Sequence, residues 1–147
     1  MRFSSMLFSA LLFVASASAA DFVGTWKMNI SKSKLPATSK VASQTLTMQQ
    51  TAPNTYKTIQ DVVLQSGEKQ HGEILRIYDG KEHVSEGTGF PKGRSEICEI
   101  VDDRTRKITV RRDGKETGGF TSTVSADGKT MTNVQDANSA VQVYERQ

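Results

Sequence analysis

The chain has 147 residues, with 19 lysines and arginines, 16 aspartates and glutamates, two histidines and a single cysteine. This length suits one domain with an ordinary core, and the scattered charges are typical of a solvated mixed surface, which argues against a nucleic-acid partner. The lone Cys98 excludes an intrachain disulfide. Because unpaired cysteines are commonly buried, we expect Cys98 in the core.

The N-terminus has the pattern of a secretory signal peptide. Arg2 supplies a positive charge, residues 6–14 are almost entirely apolar, and a stretch of alanines and serines follows with an Ala-x-Ala cleavage pattern. The apolar run is too short to cross a bilayer as a helix, which needs about 20 residues. The boundary has no cysteine, so a lipoprotein anchor is not indicated. We predict a signal peptide at 1–20, a mature domain at 21–147, and a secreted or periplasmic location without a membrane span.

Turn residues recur at nearly regular intervals along the mature chain and separate short segments rich in Thr, Val and Ile. The strongest turn signals are Asp-Gly pairs, because a two-residue hairpin turn needs positive φ at both positions. No apolar period of a helix is sustained, so little helix is expected. The Asp-Gly pairs are at 79–80, 113–114 and 127–128, and about ten strands are predicted near 22–29, 42–50, 55–64, 69–78, 81–87, 94–101, 106–112, 115–125, 129–136 and 140–146.

A long antiparallel meander leaves two unpaired edges unless the sheet closes on itself. Closure into a barrel removes both edges. We therefore predict an all-β fold, a single antiparallel up-and-down β-barrel of about ten short strands.

The mature chain opens with Phe22, Gly24, Trp26 and Lys27 in the pattern Phe-x-Gly-x-Trp-Lys, and it closes with Tyr-Glu-Arg at 144–146. With the two Asp-Gly turns of the last third, this pattern resembles the calycin superfamily, and most closely its intracellular lipid-binding (fatty-acid-binding) proteins. The segment 25–34 also resembles small secreted bacterial proteins described as lipocalin-like. The resemblance implies a barrel for a small hydrophobic ligand, with Gly24 and Trp26 plugging one end.

The sequence departs from the fatty-acid-binding pattern where that family binds a carboxylate. The family uses two buried arginines and a tyrosine, whereas this chain has Thr121, Gln142 and Tyr144 at the matching positions. The resemblance therefore implies a neutral or weakly polar ligand contacted by these three residues. The segment 30–41 is also too short, and interrupted by a proline, for the family's two-helix lid.

The strand faces decide whether Gln142 and Tyr144 can contact a ligand. They lie two residues apart and share one face of a strand. A shift of one residue would turn Val141 and Val143 inward instead. The sequence leaves both registers open.

Other groupings give weaker signals. His71 and His83 are expected to lie too far apart to chelate one ion. The glycine-bearing segment 87–93 lacks the following helix of a phosphate site and is expected to connect strands flexibly at the barrel mouth. The basic segment 104–112 lacks aromatic stacking platforms, so we expect a solvated strand face.

We find no pattern of a catalytic site, a metal site or a bound cofactor, and we predict a non-enzyme.

The sequence leaves two functions open. The first is an exported protein that binds a small hydrophobic, neutral or weakly polar ligand inside the barrel. The alternative is a filled barrel that acts through its surface, on another envelope protein or as an enzyme inhibitor. A cavity below roughly 300 Å³ would favour the alternative, because drug-sized ligands need more room. Ligand identity and oligomeric state are not determined by the sequence.

Overall fold

Eleven strands form one antiparallel sheet in the computed structural model, which describes residues 21–147. The predicted signal peptide at 1–20 lies outside the described residues. Within 21–147, no helix has the length and apolarity to span a membrane. A short 3-10 helix occupies Ile30–Lys32. The strands are β1 Gly24–Met28, β2 Val41–Ala52, β3 Thr55–Leu64, β4 Lys69–Ile77, β5 Glu82–Val84, β6 Gly87–Thr88, β7 Arg94–Asp102, β8 Thr105–Arg112, β9 Lys115–Val124, β10 Thr130–Gln135 and β11 Val141–Arg146.

The sheet curls into the predicted barrel. Its order is β5-β7-β8-β9-β10-β11-β1-β2-β3-β4-β6, so the first and last long strands are paired, with Trp26 opposite Arg146. The two edge strands, β5 and β6, are consecutive in the chain. Ser85 N–H donates to the Arg94 carbonyl at 2.9 Å, and Leu75 N–H donates to the Glu86 carbonyl at 3.1 Å. The segment 82–88 therefore bridges the two edges, and the all-β barrel prediction is confirmed.

The single strand predicted at 81–87, hairpinned to β4 through Asp79-Gly80, is wrong. Residues 82–84 pair with β7 and residues 87–88 pair with β4. Only Gly80 of that turn has positive φ, and the Asp79 carboxylate accepts a hydrogen bond from Lys81 N–H at 2.9 Å. By contrast, Asp113 and Gly114 have φ of 49° and 77° and form the predicted two-residue hairpin turn between β8 and β9.

A buried ion pair crosses the seam between β4 and β7. Arg76 donates to both carboxylate oxygens of Glu96, Nε to Oε2 at 2.8 Å and Nη2 to Oε1 at 3.1 Å. Arg94 donates to the same carboxylate. Burial acts to raise the pKa of Glu96, but the Arg76 and Arg94 guanidiniums outweigh it and hold that pKa below its usual range.

Trp26 fills the closed end of the barrel. Its side chain is fully buried, and its indole N–H donates to the Phe22 carbonyl at 3.0 Å. The Arg146 guanidinium lies 4.2 Å from the indole centre and donates to the Val23 carbonyl at 2.7 Å. A Cβ at Gly24 would lie 2.8 Å from Arg146 Nη1, so glycine leaves room for this stack.

Arg106 lies at the same end and corrects the expectation of a wholly solvated basic face at 104–112. Its side chain is only 8% exposed. Its guanidinium lies 4.2, 4.3 and 4.6 Å from the ring centres of Phe22, Tyr56 and Tyr78. The three aromatic faces stabilise a cation that has no carboxylate in contact among the described residues.

We predict that Glu96→Gln destabilises the protein by about 3–5 kcal/mol, because it leaves Arg76 charged and buried without its partner. The measurement is the free energy of unfolding in urea at neutral pH. Glu99→Gln, on the exposed face of the same strand, is the control and should change little.

The same substitution should alter the acid dependence of stability. Because the native pKa of Glu96 is lowered, its ionised form stabilises the fold above the ordinary carboxyl pKa of 4.5, and this is lost as pH falls through the native pKa. Glu96→Gln should flatten this part of the curve. Equal losses of stability in Glu96→Gln and Glu99→Gln would contradict a stabilising role for the Arg76–Glu96 pair at the seam.

Gly87 offers a second test of the closure. Its φ is +156°, and a Cβ there would lie 1.8 Å from the Glu73 carbonyl oxygen. Gly118 has a similar φ of +151° with no atom within 4 Å of the Cβ position, so Gly118→Ala measures backbone strain alone. We predict that Gly87→Ala lowers thermal stability well beyond Gly118→Ala, whose strain costs about 1–3 kcal/mol. Equal shifts in melting temperature would show that β6 does not need to approach β4 closely.

Candidate functional site

A cavity of about 200 Å³ lies inside the barrel above the Trp26 end. Inward-facing side chains of eight strands line it, together with Phe22 before β1, Tyr78 just after β4 and Phe90 from the loop before β7. Its lining mixes apolar, amide, hydroxyl and guanidinium groups. The apolar and aromatic members are Phe22, Leu46, Met48, Ile74, Tyr78, Phe90, Ile108 and Phe120, and the polar and charged members are Gln44, Thr58, Gln60, Arg76, Arg94, Ser122, Asn133, Gln135, Gln142 and Tyr144.

One wall, on β9, β10 and β11, is a hydrogen-bonded polar network. Ser122 donates its hydroxyl proton to Asn133 Oδ1 at 2.7 Å. Gln135 donates to Gln142 Oε1 at 3.2 Å, and the Tyr144 hydroxyl donates to the same oxygen at 3.4 Å. Burial raises the pKa of Tyr144, so the hydroxyl stays protonated. This wall presents neutral donors and acceptors.

The facing wall, on β2 and β3, carries polar side chains that the protein leaves free. Gln44 and Thr58 are 7% and 4% exposed, and Gln60 is half-buried. None of the side-chain hydrogen bonds within residues 21–147 reaches the amide of Gln44 or Gln60, or the hydroxyl of Thr58. Their polar atoms are not among the fully buried atoms without a partner, so they are open to the cavity. These three side chains can therefore bond to a molecule in the cavity.

The structure brings two of the predicted site residues together and not the third. Gln142 and Tyr144 both line the cavity, while Val141 and Val143 take the other face of β11. Thr121 is a correction: it lies on the outer face of β9, paired with the 40% exposed Val134. The alternation of β9 instead turns its neighbour Ser122 inward, opposite Asn133.

Most of the polar lining was not predicted from the sequence. Gln44 shares the face of Leu46 and Met48 in β2, and that alternation was a signal for an inward amide. Asn133 and Gln135 had no such signal, because their strand alternates polar residues on both faces. Their orientation follows from pairing with β9 and β11.

Phe90 covers part of the open end. Its ring lies 3.2 Å from where a Cβ at Gly72 would be, and the Arg94 guanidinium lies 5.3 Å from its centre. A Cβ at Gly89 would lie 2.5 Å from the His71 carbonyl oxygen, so glycine packs this loop directly on β4. This close packing differs from the flexible connection expected for 87–93 and positions Phe90 over the cavity.

The remaining candidate groups lie away from the cavity. Cys98 is buried against Tyr78 and Ile108 without lining the cavity, and burial raises its pKa to about 12, which makes the thiol unreactive at neutral pH. His71 Nδ1 lies 2.7 Å from an Asp61 carboxylate oxygen, and His83 Nε2 lies 3.0 Å from Asp79. Across the described chain, no three His, Cys, Asp or Glu residues are grouped as metal ligands.

Comparisons with known proteins establish the fold. The sequence matches no protein-family model and no curated protein sequence. Two solved structures of the fluorescent protein UnaG match the coordinates. A single-site variant is 17% identical with a TM-score of 0.64, covering 86% of this chain and 96% of that chain. The wild type is 20% identical with a TM-score of 0.61, covering 86% and 97%. This likeness shows that the chain has the calycin fold that its terminal motifs predict.

Proposed function

We propose that this protein is an exported, non-enzymatic binding protein that holds a small molecule inside its barrel. The observation that carries the proposal is the polar wall on β2 and β3. Gln44 and Thr58 are buried there, face the cavity and have no protein partner among the described residues. A fold that closes a cavity around such groups is suited to bind a ligand that satisfies them.

The lining defines the chemistry of this ligand. Amides both donate and accept hydrogen bonds, the lining has no carboxylate to bind a cation, and the Arg76 guanidinium is paired with Glu96. These groups suit a ligand whose enclosed part is neutral and weakly polar. Leu46, Ile74, Ile108 and Phe120 supply apolar contacts for a ring or short aliphatic group. The cavity of about 200 Å³ is larger than the 150 Å³ cavity that binds benzene in another protein, but smaller than drug-sized sites. We therefore favour a one-ring or two-ring molecule over a long-chain lipid.

The arrangement of Ser122 supports binding without catalysis. Its hydroxyl donates to Asn133 and has no histidine or carboxylate base in contact. The signal-peptide pattern at 1–20 supports action outside the cytoplasm.

A second function is favoured by one observation. The cavity volume falls below the roughly 300 Å³ expected for a drug-sized ligand. A barrel with too little room for such a ligand could act through its surface, on another envelope protein or on an enzyme. The two proposals differ in whether the cavity binds any small molecule.

We predict that naphthol binds in the cavity with one-to-one stoichiometry, measured by titration calorimetry at neutral pH. Gln44→Leu should weaken binding about fivefold to tenfold, because one ligand hydrogen bond contributes about 1–1.4 kcal/mol. Leucine fills a similar volume, and no side-chain hydrogen bond within residues 21–147 is lost with the Gln44 amide, so the variant should fold as well as the parent.

Gln49→Leu is the matched control, since Gln49 lies on the exposed outer face of the same strand and should not affect binding. Palmitate should not compete for the cavity, because its chain exceeds the available volume. Absence of saturable binding by naphthol would favour the surface function, and equal weakening by Gln44→Leu and Gln49→Leu would reject the cavity as the site.

A further inference from the structure

A second pocket adjoins the cavity at the open end of the barrel. It measures about 220 Å³, and we call it the rim pocket. Arg94 lines both the cavity and the rim pocket, so the two spaces meet at this side chain. All charged residues that line the rim pocket are arginines. Its lining is Arg94, Val110, Arg111, Arg112 and Thr117.

The strand register concentrates positive charge at this rim. Arg94 on β7 lies directly opposite Arg112 on β8, and Arg112 lies opposite Lys115 on β9. Like charges directly opposite each other destabilise a sheet. The carboxylates of Glu96 and Glu82 pair with Arg94 and Arg111, and that of Asp113 lies against Gly93. Of the three cations in this row, Arg112 and Lys115 have no carboxylate partner among residues 21–147.

The partners of each arginine show which donors are free. Arg111 is satisfied, since it donates to Glu82 at 2.6 Å and to the Gly114 carbonyl at 2.7 Å. Arg112 makes no ion pair among the described residues. Arg94 shares Glu96 with Arg76, and its Nε is buried without a hydrogen-bond partner. A buried donor without a partner is rare. Arg94 therefore keeps hydrogen-bonding capacity that Glu96 does not use.

We propose that the rim pocket binds an oxyanion group, a carboxylate, sulfonate or phosphate, of the molecule whose neutral part occupies the cavity. This inference rests on the proposed function and specifies its ligand: a compact amphipathic acid with its charge at the open end. The guanidiniums of Arg112 and Arg94 lie beside the oxyanion and donate to it, as arginine forks do to carboxylates and phosphates. The neutral amide walls hold the uncharged ring.

The test compares naphthalenesulfonate with naphthol, which share one ring system and differ in the anionic group. The intact mature protein should bind naphthalenesulfonate at least about tenfold more tightly, since charged hydrogen bonds contribute about 1.5–3 kcal/mol. Arg112→Gln should remove most of this preference without changing naphthol affinity. Arg94→Lys, which keeps the charge but removes Nε, should also reduce the preference.

Arg104→Gln is the matched control, because Arg104 is exposed in the β7–β8 turn at the opposite end of the same strand pair. An unchanged preference in Arg112→Gln, or an equal loss in Arg104→Gln, would overturn the rim site. If naphthol binding still depends on Gln44 in that case, the proposed function stands and only the rim site fails. Arg112-dependent binding of naphthalenesulfonate without naphthol binding would keep the rim site and reject the neutral cavity site. Binding of neither probe would overturn both.

Discussion

The barrel depends on one interaction, the buried ion pair that crosses its seam. Eight strand pairings follow from consecutive strands or from the pairing of β11 with β1. In the described chain β4 and β7 share no ladder, and they are bridged by the short strands β5 and β6 and by the Arg76–Glu96 ion pair. Arg94 donates to the same carboxylate and also lines the cavity and the rim pocket. Closure of the barrel, the shape of the cavity and the charge at its open end are therefore coupled through Glu96.

The two ends of the barrel use arginine in different ways. At the closed end, the buried Arg106 and the half-buried Arg146 lie over aromatic rings, and neither has a carboxylate partner within residues 21–147. At the open end, Arg94 and Arg112 face each other across two strands with donor capacity left over. The closed end is a structural plug, whereas the open end retains the chemistry to bind an anion. The two ends of the barrel therefore differ, with neutral groups deep inside and positive charge at the open end.

Local sequence signals predicted the barrel and most of its strands. They left two registers open for the last strand, and one of these turns Gln142 and Tyr144 inward, as the structure does. The Asp113-Gly114 turn formed as expected because both of its residues adopt positive φ. The Asp79-Gly80 turn did not, since capping of Lys81 by Asp79 redirects the chain toward β7. Thr121 was misassigned because a one-residue difference in register exchanges the faces of β9. The seam pair and the rim pocket join residues on separate strands, so no local pattern could reveal them.

A crystal structure of the protein with naphthalenesulfonate is the decisive measurement. We expect the ring between Gln44 and Phe120, with the sulfonate oxygens within hydrogen-bond distance of the Arg112 and Arg94 guanidiniums. A sulfonate bound deep in the barrel beside Tyr144, or a probe bound only to the outer surface, would contradict the proposed site.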